Sequence, residues 1–144
     1  MKIKEEFDCY FKTFNEMPSS IHVNKAASSF SQKEEYPYMA CVRIFMNNPL
    51  ENGLSNRDEY DMLLEIESKL IKYIDDSMDI IYVGKSTNSG MRDFFLYSQD
   101  FEPHIDDLEK VLQQFSDYDF ELGYRPDEQW DIYYKFLLPH DEKH

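Results

Sequence analysis

Ile80-Ile81-Tyr82-Val83-Gly84-Lys85-Ser86-Thr87-Asn88-Ser89-Gly90-Met91-Arg92-Asp93-Phe94-Phe95-Leu96-Tyr97-Ser98 is the stretch on which the fold turns. Ile80–Val83 is a short apolar, β-rich run, residues 84–90 read as a polar loop bounded by glycines, and Arg92–Ser98 reads as a second strand. Two such runs joined by a glycine-bearing connection predict a β-hairpin.

Upstream, Tyr60, Leu63, Leu64, Glu67, Leu70, Ile71 and Ile74 recur at helical spacing. Ser55 offers an N-cap, and Asp58 and Glu59 complement the dipole of the first turn. Before the loop marked by Asn47-Asn48-Pro49 and Asn52-Gly53, Met39–Met46 predicts a strand with Ala40, Val42, Ile44 and Met46 on one face. Cys41, Arg43 and Phe45 take the other face. Downstream, Pro103 opens a helix with Ile105, Leu108, Leu112 and Phe115 as its stripe and Asp106 and Asp107 near its start. Phe120, Leu122 and Tyr124 then alternate with Glu121 and Gly123 as a strand. Pro126-Asp127 caps a last helix bearing Trp130, Tyr133, Tyr134 and Leu137 on one face, and Pro139 ends it.

From Met39 the order is therefore β-α-β-β-α-β, the split βαβ arrangement of a ferredoxin-like α+β sandwich. Ahead of it, Phe7, Cys9 and Phe11 predict the inward row of a half-buried strand, and Asn15–Pro18 a turn. Ile21–Val23 reads as the return strand and residues 24–38 as an irregular connection. The expected organisation is a single domain, 1–144. Residues 1–38 form an N-terminal hairpin and connection that extends or covers the sheet, and 39–125 the ferredoxin-like core. Residues 126–139 form a C-terminal helix and 140–144 a tail.

A chain of 144 residues with 42% hydrophobic and 16% aromatic content can bury a core, and it is no disordered acidic tail. No run approaches the roughly 20 apolar residues of a membrane span. Met1-Lys2-Ile3-Lys4-Glu5-Glu6 lacks the apolar segment of a signal peptide. Cys9 and Cys41 stand alone, which suits a reducing, cytoplasmic setting. The net charge is −14, which disfavours direct contact with nucleic-acid phosphates. That charge is uneven. Residues 1–50 hold six acids and six bases, and residues 51–144 hold 23 acids against nine bases. Such a field either solubilises the surface or speeds capture of a basic partner.

The chemical motifs are weak. Gly84-Lys85-Ser86 lacks the first glycine of a phosphate-binding loop, where Asp79 stands, and a strand rather than a helix follows it. His22, His104, His140 and His144 have no zinc-ligand spacing, and Asp75–Asp79 lacks the calcium-loop series, so no metal is called for. There is no G-x-S-x-G elbow, and nothing points to a cofactor or catalytic group. Cys9 and Cys41 read as strand core residues and Trp130 as core packing. Arg92-Asp93 reads as a local ion pair or anchor for the 84–90 loop.

Several segments carry a family resemblance: Pro49-Leu50-Glu51-Asn52-Gly53-Leu54, Glu65-Ile66-Glu67, Val83-Gly84-Lys85-Ser86-Thr87, and Gly90-Met91-Arg92-Asp93-Phe94-Phe95-Leu96-Tyr97. Trp130-Asp131-Ile132-Tyr133 and Phe136-Leu137-Leu138-Pro139 complete the set. In these the chain resembles a bacterial domain-of-unknown-function family, number six-nine-five, over nearly its whole length. The resemblance implies a fold similar to the regulator of ribonuclease E activity B domain, and it carries over no catalytic residue.

The expected function is stoichiometric inhibition of a basic protein. Its most concrete form is an immunity protein that neutralises an antibacterial nuclease toxin by complementary charge. The candidate contact residues are Asp58, Asp61 and Glu65, then Asp106 and Glu109, then Tyr118, Asp119 and Glu121. Two alternatives stand beside it: a regulator of an endogenous ribonuclease, and a small-molecule binder or enzyme using the 84–93 loop. The partner expected is a protein, with no direct nucleic-acid or membrane contact.

Overall fold

The computed structural model describes residues 3–139, so Met1, Lys2, His140, His144 and the expected tail lie outside the described residues. The chain forms a mixed α+β structure on one six-stranded antiparallel sheet. Its elements are β1 (Phe7–Phe14), β2 (Met17–Asn24), β3 (Tyr38–Phe45), α1 (Tyr60–Ser77), β4 (Ile80–Asn88), β5 (Met91–Ser98), α2 (Ile105–Gln113) and β6 (Phe120–Pro126). A π-helical turn, Ile132–Leu137, follows. Across the sheet the order is β1-β2-β4-β5-β3-β6, so the N-terminal hairpin extends the sheet beside β4.

Period-two alternation sorts the strand side chains onto two faces, and each face has its own core. Ala40, Val42 and Ile44 of β3 and Phe94 and Leu96 of β5 meet Leu63, Ile66, Leu70 and Ile74 of α1 and Leu108 and Leu112 of α2. The opposite residues, Met39, Phe95 and Tyr97, join Ile21, Val23, Ile81 and Val83 beneath Trp130, Tyr133 and Leu137. The buried stripe of α1 is rotated from the one its sequence suggests. Tyr60 and Leu64 face outward, and Ile66 faces inward. The cap also differs: Asn56, not Ser55, accepts the Asp58 amide at 2.8 Å, ahead of a short 3-10 turn at Arg57–Glu59.

Three further expectations are corrected. First, residues 84–88 are strand, not loop. β4 runs to Asn88, and only Ser89-Gly90, with φ of 52° and 81°, makes the turn. The Gly-Lys-Ser-Thr-Asn composition looks like a loop, but β2 and β5 satisfy its backbone from both sides, with Ser20 to Val23 opposite Thr87 to Gly84. Gly84 makes this possible, because a Cβ there would meet the His22 carbonyl oxygen at 2.5 Å.

Second, β1 has the reverse phase. Phe7, Cys9 and Phe11 are exposed on the helix side of the sheet, beyond the cover of α1, so Cys9 is not a core residue. Tyr10 and Lys12 are half-buried instead, against the C-terminal segment.

Third, the C-terminal helix is a π-type turn, with Leu138 N–H donating to the Tyr133 carbonyl at 2.9 Å. Asp127 holds it in place. Its carboxylate accepts from the Asp131 and Ile132 amides at 2.8 and 3.1 Å and from the Tyr97 hydroxyl at 2.7 Å. Trp130, fully buried, stacks on Tyr97 with centroids 4.1 Å apart and donates to the Tyr36 carbonyl at 2.9 Å.

The two strand glycines give a direct check. Gly84→Ala forces β2 off β4 and costs about 1–3 kcal/mol in urea unfolding. Gly123→Ala, where a Cβ meets nothing within 4 Å, stays within about 0.5 kcal/mol of the parent.

Candidate functional site

Three surfaces have the chemistry to bind something. The first is the helical layer. Residues 57–79 and 100–119 hold fifteen carboxylates against four bases, so they carry −11 of the net −14. Asp58, Asp61 and Glu65 follow one another at helical spacing and are exposed. Asp106 is exposed and Glu109 half-buried on α2, which packs beside α1. Asp119 is exposed just ahead of β6. The eight sequence candidates nevertheless do not form one patch. Glu121 stands across from Arg43 on the other face of the sheet.

Tyr118 is already engaged, since its hydroxyl donates to Glu59 at 2.6 Å. Glu59, buried at the start of α1, also accepts the Asn47 and Asn48 amides at 2.7 and 2.9 Å. Burial alone would raise its pKa, but the Tyr118 hydroxyl and the two amides outweigh burial and hold it below the usual glutamate range. Sequence reasoning missed a different set of residues. Tyr60 and Leu64, which the spacing assigns to the core stripe, are 51% and 44% exposed, and Met62, which it assigns nowhere, is 42% exposed.

The second surface is a cleft of about 680 Å³ on the opposite face. Successive rows across β5, β3 and β6 make its floor: Asp93–Arg43–Glu121, then Phe95–Cys41–Gly123. Phe136 and Phe14 form its rim. Arg43 grips Asp93 with two parallel hydrogen bonds of 2.8 and 2.9 Å. Arg92 and Asp93 are therefore not a pair with each other, because consecutive strand residues face opposite ways. The Cys41 thiol is pushed up to about 12, chiefly by burial and then by Asp93, so it is protonated at neutral pH.

The third is a polar cluster on the helix side, where β2, β4 and β5 pass under α1. Lys85, buried, is ion-paired with Glu67 of α1. His22 Nε2 lies 3.3 Å from the Cys9 sulfur, and burial, followed by the nearby Lys85 charge, lowers its pKa and keeps the ring neutral. Arg92 Nε donates to Thr87 Oγ1 at 3.0 Å, and Nη2 lies 3.5 Å from Ser55 Oγ. The remaining considered histidine, His104, is structural. It bridges the Tyr73 hydroxyl at 2.8 Å and Asp79 at 3.0 Å.

The model described as "Family of unknown function (DUF695)" matches residues 5–138, from the first hairpin to the C-terminal turn. The chain belongs to this family. No curated protein and no solved structure matches the DUF695 chain. Among the described residues, no helix is long and apolar enough to cross a membrane.

The Glu59 anchor predicts an acid dependence. A carboxylate whose folded pKa is depressed stabilises the fold above its unfolded value, about 4.3, and loses that contribution as pH falls through the folded value. Glu59→Gln should cost about 1.5–3 kcal/mol at neutral pH, and its deficit should shrink steadily in urea titrations below about pH 4.

Proposed function

We propose that the protein acts by binding a basic protein partner through the outward face of α1, as a stoichiometric inhibitor. The observation that carries the reading is the mixture on that face: exposed Tyr60, Met62 and Leu64 lie among Asp58, Asp61 and Glu65. Exposed aromatic and aliphatic anchors beside a cluster of carboxylates are what a desolvated interface needs, and the exposed bases Lys69 and Lys72 lie further along the same helix. The anchors give affinity, and the carboxylates give register and fast encounter. A standard interface of about 800 Å² per partner would extend over 20–30 residues, and hence from α1 onto α2 and Asp106.

The concrete form is an immunity protein for an antibacterial nuclease, whose phosphate-binding site is basic by necessity. Regulation of an endogenous ribonuclease would use the same face. The expectation, from the sequence resemblance, of a fold like the regulator of ribonuclease E activity B domain is the reason to test it. We infer a ferredoxin-like core in β3-α1-β4-β5-α2-β6, a reading supported by the order β4-β5-β3-β6 and by both helices packing on one side of the sheet.

The test is capture of basic nucleases from the source cell on the wild-type protein and on the Asp61→Lys/Glu65→Lys variant, eluted with rising salt. The account expects a nuclease held at near-equal stoichiometry, inhibited in activity, and bound about tenfold or more weaker by the variant. A partner indifferent to both salt and charge reversal, or no basic partner at all, contradicts the reading. A toxin encoded beside the gene selects the immunity form, and a housekeeping ribonuclease selects the regulatory form.

A further inference from the structure

β6 ends the sheet on the side away from the N-terminal hairpin. In an antiparallel pair, hydrogen-bonded and non-hydrogen-bonded positions alternate along the strand. The Phe45 amide donates to the Asp119 carbonyl at 3.1 Å and the Asp127 amide to the Pro37 carbonyl at 2.7 Å, both in the register that sets Arg43 opposite Glu121. The odd-numbered residues of β6 therefore bond to β3. Phe120, Leu122 and Tyr124 turn their N–H and C=O groups to the outer edge, where no strand among the described residues pairs with them. The opposite edge of the sheet is guarded. There the Lys25 amide bonds the Glu6 carbonyl, so Cys9 of β1 points its amide outward, and the Asp8 carboxylate already accepts it at 3.0 Å.

An open strand edge is a template for another strand, and the side chains of β6 give this one a self-complementary order. Glu121, Gly123 and Arg125 are exposed on the cleft face. Among the described residues neither Glu121 nor Arg125 has an ion pair. They stand about 13 Å apart along one strand, too far to reach each other. A second β6, laid antiparallel with Gly123 opposite Gly123, removes that separation. Glu121 of each copy then stands opposite Arg125 of the other, in the non-hydrogen-bonded positions where side chains come closest. Leu122 meets Tyr124 in the hydrogen-bonded positions, so their outward N–H and C=O groups are satisfied. Gly123, where a Cβ would meet nothing within 4 Å, lies on the two-fold axis, and Pro126, which has no N–H, falls at the end of the ladder.

We propose that the protein associates with a second copy of itself through β6, the two strands pairing antiparallel about Gly123 into one continuous sheet. The interface is isologous, so one complementary pair of charges is used twice. It also fixes the register, because a slip of two residues parts Glu121 from Arg125. The inference does not rest on the partner reading of α1.

The test is sedimentation equilibrium of the full chain over a wide range of concentration. Each copy carries −14, so the measurement is made at physiological salt, where the screening length is about 8 Å. The expected result is a reversible monomer–dimer equilibrium. Glu121→Arg and Arg125→Glu, both at exposed positions, set like charges opposite each other and should weaken the dimer about tenfold or more. The double variant Glu121→Arg/Arg125→Glu keeps the parent's net charge and restores both pairs in the reverse sense. Its dimer should return to within about threefold of the parent. A chain that stays monomeric throughout the range overturns the proposal. So does a dimer that is indifferent to the single variants, or one that the double variant fails to recover.

Discussion

The pairing of β2 against β4 is the contact on which the rest of this structure depends. Gly84 lets the His22 carbonyl approach where any side chain would collide, and the four-residue register from Ser20–Thr87 to Val23–Gly84 follows. That pairing joins the N-terminal hairpin to the sheet and makes β4 an interior strand. It also sets Ile21 and Val23 beneath Trp130, Tyr133 and Leu137, so the C-terminal turn has a floor. On the other face it carries His22 beside Lys85, and the β4–β5 ladder adds Thr87 beside Arg92 to complete the polar cluster under α1.

The two faces divide the labour. The helical layer carries −11 of the net −14, and beneath it Lys85 and Arg92 lie among the carboxylates of Glu67 and Glu59. The opposite side is closed by aromatic stacking around Trp130 and pinned by the Arg43–Asp93 pair.

Much of the fold was legible because burial writes itself into periodicity. Ala40, Val42 and Ile44, and Leu108 and Leu112, pointed inward as their spacing required. Trp130 went to the core as its size suggested. What could not be read was decided by contacts distant in sequence. Lys85 and Thr87 are polar because they face a cluster assembled from four elements, and local composition cannot distinguish that from a turn. The phase of β1 inverts because α1 stops short of it, so Phe7 and Phe11 are left outside while Tyr10 reaches the C-terminal segment. Tyr60 and Leu64 fit an apolar stripe equally well on paper, but Ile66 faces the sheet in their stead. Of the acidic candidates, those on α1 share a face, and Glu121 could not be known to lie across the sheet until β6 was set against Arg43.

The most direct measurement is native-state amide hydrogen exchange across residues 80–98. If β4 is interior as far as Asn88, the amides of Lys85, Ser86 and Thr87 exchange only in the slow opening that also frees Phe94 and Leu96. Fast exchange at Lys85–Thr87, with protection confined to Ile80–Val83 and the β5 strand, would show a mobile loop. The pairing on which both the polar cluster and the docked hairpin depend would then be contradicted.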